Sequence, residues 1–380
     1  MERYRVALLD WLACAAAGSR EPTAIAARRA GDGLLERVTA AGCAGHLLDY
    51  DDTYTPGLVH ASAPVAPVAL LLAAEQERDV EATLDAFAAG WEATAALARA
   101  SHPALYERGW HPTAVCGTVG AAVAAARLLE LDAADVRHAA ALALLRAGGL
   151  RAAFGSPGKA IQVGGAAAAG LQAARLAAAG ARAPLDEIAG GPAGFGTAFG
   201  GRWAEPDGVP AIRDNWIKAY PCCLGTHGPV EAALSLRGTS AARRPLTVVV
   251  HPVARQAAAL DDVADGLQAK FSIPYLVAFA LLRGAPRYRD FGVVDPEVRA
   301  LASDSIQVAT DAGLGEMEAR IESDGETLAR VETAVGSPAR PMDADRLRDK
   351  LHELADGRLD DVLDSPAATA REVLAVAGLE

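Results

Sequence analysis

The chain has 380 residues, 51% of them apolar and 22% charged, so it can build a sizeable core and is not a disordered chain. At roughly 150 residues per domain this length accommodates two or three domains. Thirty-six basic residues against 48 acidic ones give a formal charge of −12, the wrong sign for a nucleic-acid partner, whose phosphates need a basic footprint.

The chain opens on an amphipathic pattern without a basic, cleavable leader, and apolar residues recur at spacings of three and four from Tyr4 to about Gly180. This predicts helices over Val80–Ala100, Gly117–Leu129 and Ala133–Leu145. Within the stretch, His46-Leu-Leu-Asp49-Tyr-Asp51-Asp52-Thr53 is followed by His60. Continued as a helix, that spacing puts His46, Asp49 and Thr53 on one face and turns Asp51 and Asp52 away. Three acids in four residues read as a solvated turn or a cation site, but apolar runs on both sides favour a buried role. The longest stretch without Asp, Glu, Lys or Arg, Thr53–Ala74, is broken by Pro56, His60, Pro64 and Pro67, so no membrane span is expected.

Pro112 and Thr113 open a helix with His111 at its N-terminal side, where anions are favoured. A hydrogen-bonded core histidine is the competing reading for His111, and equally for His227. Gly164–Gly170 offers only tiny side chains, so a neighbouring helix can approach closely. After a Gly/Pro-rich loop at Gly190–Gly201 the texture changes. Pro245–Val253 and Ser305–Ala309 are β-branched, and Ala319–Ser323, Asp324-Gly325 and the following alternating segment predict a hairpin with a primed turn. A charged helix over Ala344–Ala355 and a helical tail over Pro366–Leu379 follow. The expected fold is mainly α: a large all-helical domain of residues 1–219, completed by a C-terminal helix within 357–380, plus a smaller α+β domain of residues 220–356.

Lysine usage is the sharpest internal signal. Only Lys159, Lys218, Lys270 and Lys350 occur among 36 basic residues. Lysine can lose its proton when desolvated or act as a compact point charge, which arginine does poorly. Five cysteines, odd in number, with no CxxC and with Cys222 and Cys223 adjacent, fit a reducing, cytoplasmic compartment. Gly158-Lys159-Ala160 lacks the rest of a phosphate-binding loop, and neither HExxH nor GxSxG occurs. Tyr275 reads equally as a buried tyrosine with a polar tip.

Seven segments in order, ALLDWLACAAAGS, HLLDYDDT…HAS, GWHPTAVCGTVGAAVAAARLLELD, GSPGKAIQVGGAAAAG, GGPAGFGTAFGG, KAYPCCLGTHGPVEAAL and AKFSIPYLVAFALL, resemble the MmgE/PrpD family of polycarboxylate dehydratases, decarboxylases and epimerases. The resemblance implies a helical domain under an α+β lid, a homodimer, and no cofactor or metal. It places a decarboxylase-type pocket at Asp49, Thr53, His60, His111, Lys159, Lys218 and Tyr275. Family chemistry makes or quenches a carbanion beside a carboxylate. Lys159 and Lys218 would bind carboxylate and steady an enediolate, His60 and His111 would move protons, Asp49 would orient a partner, and Thr53 and Tyr275 would donate to substrate oxygens. The chain is shorter before His46 than the family pattern. Where members often continue the first lysine with Arg-Leu-His and a later Arg, it has Ala160-Ile161-Gln162 and Gly165, leaving Gln162 to bind an amide or hydroxyl. The expected activity is a cofactor-independent lyase on a small di- or tricarboxylate, dehydration first, decarboxylation or epimerisation as alternatives, and a non-catalytic dimeric scaffold as the reading of another class.

Overall fold

The computed structural model describes residues 1–380 except 241, 243, 366 and 367. Helices form at Val80–Ser101, Pro112–Leu128 and Ala133–Leu144, where periodicity places them. Asp79 and Asp132 cap the first and third, accepting from Ala82 N and Asp135 N at 2.8 and 2.9 Å. Helices Leu34–Leu47 and Gly158–Ala178 meet backbone to backbone: a Cβ on Gly164 would overlap the Thr39 carbonyl. One on Gly170 would overlap the Thr118 carbonyl on a second neighbour. The tiny side chains thus bring the helix of Lys159 against the helix of His46.

Further along, four strands form one sheet in the order Ile306–Thr310, Leu246–Val250, Ala319–Ser323, Glu326–Val331. The first pair is parallel and the others antiparallel. Asp324 and Gly325, at φ of 51° and 79°, supply the expected primed turn of the hairpin. Leu246, Val248 and Val250 are buried in a core shared with Val230 and Leu276.

Two large hydrophobic cores and two small clusters result among the described residues. One is built largely from the helical residues between Ala7 and Ile212, the other from residues between Tyr220 and Ile321. The helix Ala344–Ala355 departs from the expected partition. It lies within 220–356 in the chain, yet it packs Leu351, Leu354 and Ala355 into the first core, beside the helix Glu2–Gly18. The reason is visible on its apolar stripe, which carries Lys350 to a buried ion pair with Asp10 at 2.6 Å. The tail helix forms at Ala370–Ala377 and returns to the first core through Val373 and Leu374; Pro366 and Ala367, its expected start, lie outside the described residues. Among the described residues no helix is long and apolar enough to cross a membrane. All five cysteines are free and buried.

A two-stranded ribbon closes the first half just before the chain enters the second. Thr53–Tyr54 pairs antiparallel with Asn215–Trp216, Thr53 opposite Trp216. This holds the turn after the His46 helix beside the segment that carries Lys218.

Candidate active site

The helix Leu34–Leu47 stops before the acidic motif, and Asp49 adopts a left-handed φ of 51°. His46, Asp49 and Thr53 therefore do not share a helix face. The chain turns at Asp49, a residue type that tolerates this region, and Thr53 lies in the strand beyond.

Every lysine of the chain converges on this turn. Lys270 donates to the Leu48 carbonyl at 2.6 Å, Lys218 to the Asp49 carbonyl at 2.9 Å and Lys350 to the Tyr50 carbonyl at 2.8 Å. Lys159 donates to the Asp49 carboxylate. All four are buried. An ammonium is compact and carries three donors that can reach separate oxygens, whereas a planar guanidinium fork cannot enter so tight a turn. That explains a lysine set apart from 32 arginines.

Lys218 Nζ also lies 3.3 Å from Asp49 Oδ1, and His60 Nε2 is 3.7 Å from the same oxygen. Burial pushes the Asp49 carboxyl up, but Lys159 and Lys218 beside it pull harder and hold it well below the ordinary carboxylate range. Burial lowers Lys218, and Asp49 and Asp51 reverse this, leaving its ammonium favoured. Phe154 and Phe271 stack their rings 5.4 and 5.3 Å from Lys159 Nζ and keep water from it.

Three histidines close the other side. The His46 ring stands 4.5 Å from that of His60 and 5.9 Å from that of His111. Asp51 Oδ2 lies 2.9 Å from His46 Nδ1 and 3.2 Å from His60 Nδ1. Burial pushes Asp51 up, yet the two imidazoles more than reverse this, so its carboxylate is ionised and accepts. His46 thus carries its proton on Nδ1 and presents a lone pair at Nε2, which has no partner. His111 is the opposite. Gln162 accepts from Leu150 N at 2.9 Å, which fixes its amide, and its NH2 group lies 2.7 Å from His111 Nδ1. His111 Nδ1 accepts, and an unpartnered N–H stands at Nε2. Burial pushes His60 down to about 3 and holds His46 and His111 below the usual range as well. His60 and His111, expected to move protons, thus stand well below the ordinary imidazole range, because desolvation outweighs their acidic neighbours.

The structure thus brings together Asp49, His60, His111, Lys159, Lys218 and Gln162 from five segments. Thr53, in the strand after the turn, is buried with Oγ1 unpartnered among the described residues. His227 lies a layer behind, its Nε2 3.4 Å from the Cys222 carbonyl that also accepts from Lys218. Tyr275 stands apart: it belongs to the second core, and its hydroxyl accepts from Asp295 N at 3.0 Å. His46 and Asp51 are the members absent from the sequence-derived set; both lay in the motif, but a helical reading turned Asp51 outward. His46, Asp49 and His60 have ligand-type atoms within 4.8 Å of one another. Two ammoniums against Asp49 make the spot repel a cation and suit an anion. A cleft of about 500 Å³, lined by Leu48, Pro157, Lys270, Tyr288 and Phe291, opens beside the turn.

Burial of these groups predicts a pH-dependent stability. His60 and His227, both near 3 when folded, bind protons in the unfolded chain first as pH falls through about 6.5, and His46 and His111 act in the same direction. Each such histidine removes up to about 1.4 kcal/mol per pH unit below that point. Asp10 and Asp52, raised by burial, oppose this, Asp52 titrating at about 7. Four groups against two leave a net loss on acidification. Thermal midpoints are expected to fall from pH 6.5 to pH 4; a flat profile there would contradict the burial of the histidines.

Residues 34–205 match the MmgE/PrpD N-terminal domain and residues 220–375 match the MmgE/PrpD C-terminal domain. The chain belongs to the MmgE/PrpD family. Human cis-aconitate decarboxylase is 30% identical over 287 residues, which cover 69% of this chain and 59% of the human protein. Mouse cis-aconitate decarboxylase is 28% identical over 287 residues, 68% of this chain and 58% of that protein. The Aspergillus terreus protein of the same name is 30% identical over 274 residues, 63% and 56% of the two chains. The alignment thus spans under three-fifths of these relatives' length. In this MmgE/PrpD chain the N-terminal domain supplies the Asp49 turn, the three histidines and Lys159, and Lys218 immediately precedes the C-terminal match.

Proposed function

We propose that this chain is a lyase that breaks a bond next to a carboxylate of a small polycarboxylate, with decarboxylation as its reaction. The observation that carries the reading is the Asp49 carboxylate clamped by Lys159 and Lys218 against three neutral histidines in a buried, cation-rich site. The names of the relatives, all cis-aconitate decarboxylases, support decarboxylation over the dehydration ranked first from the sequence.

In the proposed step the C–C bond to the departing carboxylate breaks heterolytically and CO2 leaves. Its electron pair passes through the conjugated system into a remaining carboxylate as an enediolate. Lys159, Lys218 and the Nε2–H of His111 stabilise that charge; fixed donors in a dry site act without reorganising. Neutral His111 serves as a hydrogen-bond donor, not as an acid. His60 carries the proton that quenches the carbanion: a substrate carboxylate adds negative charge beside it and raises its proton affinity. Dehydration is the second reading, favoured by the unpartnered Thr53 hydroxyl, which suits a substrate hydroxyl, and by the free lone pair on His46, which suits a base.

Charge counting narrows the substrate. The ammoniums of Lys159, Lys218 and Lys270 against the carboxylates of Asp49 and Asp51 leave a single net positive charge, the histidines being neutral, so each substrate carboxylate beyond the first is unpaired and costs several kcal/mol in a closed site. A dicarboxylate, bound by a homodimer of this chain, is the proposed substrate class. The test incubates chelator-treated, metal-free protein with cis-aconitate and a series of dicarboxylates, following CO2, loss of water and optical rotation. CO2 release without added metal is expected, with dicarboxylates competing more strongly than citrate-type tricarboxylates. Activity restored only by a divalent metal, or water loss without CO2, would overturn the decarboxylase reading; tighter tricarboxylate binding would overturn the charge count.

A further inference from the structure

We propose that Lys350, with Asp10 as its counter-ion, is a positioning pair that sets the two catalytic segments in register from behind the site. The inference rests on the lyase reading for its activity readout only. Lys350 Nζ donates to the Tyr50 carbonyl at 2.8 Å and to the Lys218 carbonyl at 3.0 Å. It makes its ion pair with Asp10 at 2.6 Å and lies 3.9 Å from the centre of the Tyr50 ring. One ammonium therefore bonds the residue after Asp49 and the main chain of Lys218 at once. Both Asp10 and Lys350 are buried, and among the described residues no hydrogen bond or ion pair joins either to Asp49, Lys159 or a histidine of the cluster.

The connection is long in sequence and short in space. Lys350 sits on Ala344–Ala355, 300 residues from Tyr50 and 132 from Lys218. Asp10 sits on the first helix of the chain. The pair thus ties the helix at one end of the chain, and a helix near the other, to the place where the Asp49 turn meets the Lys218 segment. Because both segments hang on the same nitrogen, a shift of either is felt by the other; this is the property a bidentate backbone clamp adds beyond burial. Lysine suits the task for the reason given above, three donors on a compact head.

The experiment compares the parent protein with the double variant Asp10→Asn/Lys350→Met, which removes both charges together because a lone buried charge would unfold the chain. Two readouts are taken: hydrogen–deuterium exchange of peptides covering residues 46–54 and 215–223, and turnover of cis-aconitate and the dicarboxylate series. Faster exchange is expected in both peptides and not in Pro112–Leu128, with kcat down at least about tenfold and KM within about threefold, the pattern of lost alignment rather than lost binding. Unchanged exchange in both segments, or parent kcat in a folded double variant, would overturn the proposal, as would faster exchange spread evenly over the molecule. If the double variant does not fold, Lys350→Arg, which keeps the charge opposite Asp10 while its planar fork loses the grip on two carbonyls, takes the same readouts with the same criteria. If the parent turns over no substrate of the series, the lyase reading fails by itself, and the exchange pattern still decides the clamp.

Discussion

Lys159→Arg is expected to lower kcat/KM at least about 100-fold while leaving the thermal midpoint close to that of the parent protein, the scale seen when one preorganised donor is removed. Charge is conserved by this change, so a loss isolates shape. The Lys159 ammonium sits between the Asp49 carboxylate and the Phe154 and Phe271 rings. A guanidinium there is wider, presses on the part-buried Phe154 ring, which can give way, and spreads its charge over a plane instead of aiming it at one oxygen. Lys218→Arg is expected to lose as much activity and to lose stability too. Lys218 is wholly buried and donates to the Asp49 and Cys222 carbonyls, so an arginine leaves acceptors unmet. Steady-state kinetics with calorimetry separates the two cases. Parent-like turnover in both folded variants would remove these lysines from the chemistry.

Gln162→Glu is expected to lower kcat about 100-fold with little change in fold, and to reverse the proton on His111. The two side chains have one shape and opposite hydrogen bonding at the atom that faces His111 Nδ1. With glutamate that atom accepts, the His111 proton moves to Nδ1, and Nε2 loses the N–H proposed to meet the enediolate. The added negative charge also raises the proton affinity of His111, so the acid limb of the kcat profile is expected to move to higher pH. Ring-nitrogen NMR reads the tautomer directly, independent of turnover. A variant with parent kcat and an unchanged His111 tautomer would show that Gln162 merely braces Leu150, with which it also bonds.

The pH dependence of stability, the carboxylate series and the Lys350 clamp probe the same cluster from different sides. All concern how charge is held in a place without water. Four lysines and the carboxylates Asp10, Asp49, Asp51 and Asp52 are all buried; Lys159 and Lys218 are set against Asp49 and Lys350 against Asp10. Truncating one member leaves its partner uncompensated, which is why paired or isosteric substitutions are the informative ones.

Much of this was readable from the sequence. Apolar spacing determined the helices around Val80, Pro112 and Ala133, β-branched runs determined the strands, and Asp324-Gly325 determined the hairpin turn, because each depends on the dihedral and burial preferences of neighbouring residues. The scarcity of lysine marked residues with a special task, and four sequence motifs held Asp49, His60, His111, Lys159 and Lys218 before any contact was known. Only the tertiary structure decided what that task is. Three of the four lysines hold carbonyls of one turn, a relation between residues up to 300 positions apart that no local pattern encodes. It also moved Tyr275 out of the cluster, brought Asp51 in, and gave the helix of Lys350 to the first core, since the chain direction after Leu47 is set by packing and not by helical periodicity. The protonation of the histidines was decided there too: burial and the partner on each Nδ1 determine whether a ring offers a lone pair or an N–H, and both are properties of the folded site alone.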